Sequence, residues 1–119
     1  MPTKWQAEVL RELIASKKAE QEKLAGRSRV AARRAAGIAL LEYNRLVSFT
    51  QETQNYYDLL QAFSCQPGVP GDIQQATQRL CQRVDEQYNL PDDFNLIDDA
   101  ESLVKYVDGQ INKTTKRGE

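Results

Sequence analysis

The 119-residue sequence contains no histidine. That absence removes the commonest general base and the commonest metal ligand. A histidine-dependent triad and a histidine-bearing zinc site are therefore excluded. Cysteine is scarce. Cys65 and Cys81 are the two present, too few and too far apart for a disulfide scaffold or a zinc cluster. They read either as two small hydrophobes or as a clip tying the 65–81 loop to its helix. No apolar run approaches the roughly 18 residues that span a bilayer. The start, Met1-Pro2-Thr3-Lys4-Trp5, lacks the apolar core of a secretory signal. The expectation is a cytoplasmic protein with no membrane partner. No glycine loop of the phosphate-cradling kind occurs, and no serine or cysteine sits beside an activating base. No catalytic residue and no cofactor is expected. The acidic cluster Asp92, Asp93, Asp98, Asp99 and Glu101 lacks the central glycine and ligand spacing of an EF-hand, so no metal is expected either.

Long two-residue alternation is missing as well, which argues against strands. What remains is helical spacing. Thr3 and Gln6 make a capping box, followed by Trp5, Val9, Leu10, Leu13 and Ile14 on one face. A helix is expected over about 4–24. Gly26 suggests a break or turn near Gly26-Arg27-Ser28, with Ser28 as a new cap, although one bent helix over 4–63 would also fit. The strong helix formers after it predict one long helix over 28–63. Its seam falls at Leu46, Phe49, Thr53, Tyr56, Leu60 and Phe63, in alternating steps of three and four. Traced backwards, that seam meets Ala25, Ser28, Ala32, Ala35, Ala39 and Glu42, mostly small enough for a neighbouring helix to come close.

Two prolines and two glycines in Cys65-Gln66-Pro67-Gly68-Val69-Pro70-Gly71 demand a loop over 64–71. Asp72 then caps a helix over 73–88 with Ile73, Thr77, Leu80, Val84 and Tyr88 inward, ended by Asn89-Leu90-Pro91. A last helix over 99–111 starts from an Asp98–Glu101 box and buries Ala100, Leu103, Val104, Val107 and Ile111, with Gly109 able to end it. The tail 113–119 is expected to fray. The fold class is all-α: a single domain over 1–119, a bundle of about four helices with one long central helix.

Charge is where function shows. The net charge is -1, but the average hides a dipole. Residues 17–34 hold seven Lys/Arg against two Glu, whereas residues 72–108 hold nine Asp/Glu against three Lys/Arg. On a helix turning about 100° per residue, Arg27, Arg34 and Arg45 fall near one line, and Arg29 and Arg33 on another. Long cationic side chains on a small-residue stem suit a phosphate backbone. The candidate nucleic-acid contacts are Lys17, Lys18, Lys23, Arg27, Arg29, Arg33 and Arg34. Against that stands a solvated helix whose arginines pair with the chain's own acidic half. The aromatics Tyr43, Phe49, Tyr56, Tyr57 and Phe63 read as core, with Tyr57 the most exposed of them.

In size and helical character the chain resembles the small all-helical, non-catalytic subunits that line RNA-guided CRISPR effector complexes. The resemblance implies a binding role against nucleic acid, DNA or RNA, inside a larger complex, and carries no residue assignments. The alternative is a protein–protein interaction module or homodimer joined along Leu46, Phe49, Tyr56, Leu60 and Phe63, with no nucleic acid.

Overall fold

The computed structural model describes residues 3–50, 55–81 and 96–117, with side chains in the last stretch as far as Lys113. The described residues form five helices and no strand: α1 Lys4–Gln21, α2 Ala25–Val47, α3 Tyr56–Ser64, α4 Gly71–Cys81 and α5 Leu96–Arg117. The all-α class stands. Five helices, with the long α2 at the centre, are loosely consistent with the expected bundle of about four, while several boundaries differ.

At the start of α1 the capping box forms as the spacing predicts. The Thr3 amide donates to Gln6 Oε1 at 2.9 Å, and the Gln6 amide donates to Thr3 Oγ1 at 3.3 Å. The end comes earlier than expected and not at Gly26. Lys23 adopts φ 61; its amide bonds to the Glu20 carbonyl, and the Leu24 amide bonds to the Ala19 carbonyl at 2.8 Å. That pair of bonds around a left-handed residue is a Schellman turn. Gly26 needs no special backbone, and Ser28 is not a cap. It lies inside α2, where its carbonyl accepts the Ser16 hydroxyl at 2.7 Å. Because the turn is so short, α1 and α2 form an antiparallel hairpin.

The long helix over 28–63 is two helices. Ser48 turns left-handed at φ 51, and the half-buried Phe49 and Thr50 after it are outside the helix. Asn44 supplies a reason. Its side chain is buried and its Oδ1 accepts the Thr50 amide at 3.0 Å, a local bond that competes with continuing the helix. Asn55 then caps α3 by accepting the Asp58 amide at 2.8 Å. The chain thus folds back, and Tyr56 packs its ring on Gly37 in the middle of α2.

The 64–71 loop falls where the prolines and glycines require, although α4 begins at Gly71 and takes Asp72 into its first turn. The expected continuation of α4 to 88, with Val84 and Tyr88, lies outside the described residues, as do Thr53, Asp92 and Asp93. Helix α5 starts before Asp98, so Asp98 is not its cap. Nor does Gly109 end it, because a helix interior costs glycine only about 1 kcal/mol. Residues 113–117 continue the helix rather than fray.

Helix α2 is the centre, with α1, α3 and α5 packed around it and α4 bridging α3 and α5. Ala32, Ala35, Ala36 and Ala39 are fully buried, as are Leu40, Leu60, Phe63, Leu80, Leu103 and Val107. Small side chains along α2 let its neighbours approach closely. The predicted inner stripes of α4 and α5 are buried at Ile73, Thr77, Leu80, Ala100, Leu103, Val107 and Ile111. In α1 the expected stripe is only half right. Val9 is buried, but Leu10 and Ile14 are 56% and 58% exposed, because α1 rests on α2 and meets α5 only along one edge.

Candidate nucleic-acid interface

The tip of the α1–α2 hairpin carries Lys23 and Arg27 beside Glu20 and Glu22, and the other predicted cations lie further down its two helices. Every residue from Glu20 to Arg27 is exposed. Below the tip the hairpin is closed by small side chains. Ser16 and Ala19 on α1 meet Ser28, Ala31 and Ala32 on α2, all buried except Ser28. A hydroxyl bonded inside such a seam meets its polar requirement without widening it.

The seven predicted cations do not share one environment. Lys17 pairs with Glu101 at 3.2 Å, both about half exposed; a bridge so exposed contributes about 0–1 kcal/mol. Arg33 is half-buried, and its Nε donates to the Leu80 carbonyl at 2.7 Å, which ties α2 to the end of α4. Lys18, Lys23, Arg27, Arg29 and Arg34 make no ion pair among the described residues. Arg45 continues the line of Arg27 and Arg34 but is held by Glu42 at 2.9 Å.

Lys18, Arg27 and Arg34 line an open groove of about 600 Å³ between α1 and α2, with Ala15, Ala19, Ala31 and Val30 beside them and Glu12 and Glu22 on its α1 side. Arg29 lies away from that groove. The first turn of α2 holds no acidic residue, and Leu24 offers no capping side chain. The positive end of the helix dipole therefore points out at the tip, next to Lys23 and Arg27. The arrangement can attract an anion by long-range charge and by guanidinium donors.

The seam expected over 46–63 is not one face. Leu46 is 45% exposed at the end of α2, whereas Leu60 and Phe63 lie in the core. Phe49 lies outside both helices, its ring 5.5 Å from that of Phe63 and 5.9 Å from that of Tyr43. Tyr106 completes this aromatic group at 6.3 Å from Phe63. Tyr57 is half-buried, not the exposed ring expected, and its hydroxyl accepts Gln61 Nε2 at 2.9 Å.

Elsewhere, Arg79 grips Asp99 with two bonds of 2.9 and 2.8 Å. Donating to Asp99 raises the arginine's pKa, with burial opposing. Both cysteines are free, Cys65 exposed and Cys81 buried. Burial pushes the Cys81 thiol up to about 11, with Arg33 pulling the other way, so it is no thiolate nucleophile near neutral pH. Among the described residues, no group of three His, Cys, Asp or Glu side chains is placed to hold a metal ion, and no helix is long and apolar enough to cross a membrane.

Sequence reasoning missed two features of this surface: the apolar exposure of Leu10, Ile14 and Val30, and the placement of Gly26 and Val30 in the α1–α2 groove beside Arg27 and Arg34. Apolar spacing cannot say which helical face lacks a neighbour. Compared with known proteins, the chain matches no family model, no curated protein and no solved structure.

Proposed function

We propose that this protein is a non-enzymatic helical subunit of a larger assembly, whose α1–α2 hairpin contacts the phosphate backbone of a nucleic acid. One observation carries the reading. Five of the seven predicted cations (Lys18, Lys23, Arg27, Arg29 and Arg34) make no ion pair among the described residues, and all of them but the half-buried Arg29 are exposed. Among the described residues, the competing expectation of cations paired with the chain's own acids is met by Lys17 with Glu101 and, outside the seven, by Arg45 with Glu42 and Arg79 with Asp99.

The test is a fluorescence-anisotropy titration of labelled oligonucleotides at 50 and 200 mM salt. Counterion release gives a slope of about -0.9 per phosphate contact, so five contacts lower the affinity by roughly 10²–10³ over that range. Absence of binding at 50 mM, or binding indifferent to salt, overturns the reading.

A second reading is a protein-interaction module or self-associating subunit. Its support is no longer the 46–63 seam, since Leu60 and Phe63 are internal. It rests on the exposed apolar residues Leu10, Ile14, Val30, Leu41 and Leu46. Sedimentation over a dilution series separates the two: a stable oligomer indifferent to nucleic acid favours the second.

A further inference from the structure

Helix α1 packs one face on α2 and one edge on α5, and its remaining face is uncovered among the described residues. Leu10 and Ile14 stand 56% and 58% exposed there, about 40° apart around the helix axis. Ala7 lies beside them and is exposed as well. Lys4, Arg11 and Lys18 recur every seven residues, so they form one line along the helix, and all three are exposed. Lys17 borders the apolar pair on its other side, where it meets Glu101 at 3.2 Å. The acids of this stretch lie elsewhere. Glu8 and Glu12 are half-buried, and Glu12 lines the α1–α2 groove. From Lys4 to Lys18 every exposed charge is therefore positive.

We infer that this face docks an acidic amphipathic helix of another subunit, with aliphatic side chains seated on Leu10 and Ile14 and carboxylates along Lys4, Arg11 and Lys18. The inference rests on the subunit half of the proposal just made and not on nucleic-acid contact. In such a contact the apolar centre supplies affinity, and the charged rim selects the partner and fixes its register. From Ala7 to Lys18 the face runs about 16 Å, the length of three helical turns. Charge decides the occupant. In a two-fold pair each copy presents the same surface. Antiparallel helices would bring the two lines of cations together, and parallel ones the two Lys17 side chains, so a second copy is repelled. An anionic lipid surface matches the charge. Leu10 and Ile14, however, bury less than the single acyl chain that by itself holds a membrane only marginally. A nucleic-acid backbone offers no apolar surface to cover the pair.

The experiment titrates the full chain by anisotropy against three labelled helical peptides of about 20 residues. One carries leucines on one face with glutamates beside them. The second has lysine at every glutamate position, and the third keeps the glutamates but has glutamine at every leucine position. The variants are Leu10→Gln/Ile14→Gln and Arg11→Glu, with far-UV circular dichroism as the folding check; all three sites are exposed. Expected is at least tenfold tighter binding of the leucine–glutamate peptide than of either control. The double variant should weaken it tenfold or more. Arg11→Glu should weaken it several-fold and improve binding of the lysine peptide. Oligonucleotide binding by the double variant should be unchanged, because neither residue carries charge. No binding of the leucine–glutamate peptide, equal binding of a control peptide, or indifference to the double substitution overturns the inference. So does co-sedimentation with phosphatidylcholine–phosphatidylglycerol vesicles that the double variant loses. The oligonucleotide titration is scored separately. If the oligonucleotide binds and the peptide does not, the phosphate reading stands and the docking face falls; if only the peptide binds, the reverse holds.

Discussion

Gly37 of α2 carries the ring of Tyr56 from α3, so closely that a methyl group at position 37 would overlap the ring carbons and Cβ of that tyrosine. The contact lets α3 return along α2 after the break at Ser48. It also explains a glycine in the middle of a helix otherwise built from strong formers.

Replacing that glycine pits two effects against each other. Gly37→Ala gains about 1 kcal/mol of helix propensity. Overpacking costs about 1–3 kcal/mol, and Tyr56 cannot move aside freely because its Cβ is among the overlapping atoms. The expected net is a loss of stability, read as a lower urea midpoint. In a Tyr56→Ala background the same substitution should become neutral or stabilising. A Gly37→Ala protein that is more stable than the parent shows that α3 does not rest there.

Lys23 holds the left-handed position of the hairpin turn, where a side chain costs roughly 1–2 kcal/mol. Glycine removes that strain but loses more freedom on folding. Lys23→Gly should therefore stabilise the fold by about 0.5–1 kcal/mol while removing one cation from the tip. Thermal melts should rise by a few degrees as nucleic-acid affinity falls. If the melting temperature drops, the turn has a different backbone.

The two thiols should behave differently. An aromatic disulfide reagent at pH 8 is expected to titrate Cys65 quickly in the native protein and Cys81 only after unfolding. The sign of the pH effect follows from burial. The folded Cys81 pKa is about 11 against an ordinary 9.0, so the native state prefers the protonated thiol. Its stabilising effect is complete below about pH 9 and is lost as pH rises towards 11. Cys81→Ala should flatten that part of the stability profile, although tyrosines and lysines titrating nearby will contribute to the rest. Rapid labelling of Cys81 in the folded protein contradicts its placement in the core.

Much of the architecture was legible from spacing. The inner residues of α4 and α5, the capping box at Thr3 and the proline-rich loop each follow from local rules that operate within one turn of helix. The division of α2 from α3 was not legible. It depends on Asn44 being buried where its side chain can capture the Thr50 amide and on Gly37 meeting Tyr56, both consequences of the chain already having turned back. The heptad steps continued across the break, so periodicity alone favoured one helix.

The all-helical class, the positions of most core side chains and the segregation of charge follow from local sequence, because helix periodicity, capping and composition are properties of neighbouring residues. Tertiary structure decided which charges are available. Lys17 and Arg33 lie in the same basic run as Arg27 and Arg29, yet the fold brings Glu101 to the first and the Leu80 carbonyl to the second. An ion pair or a captured carbonyl arises between residues distant in the chain, and only the packing of α1 and α2 against α5 and α4 sets those distances.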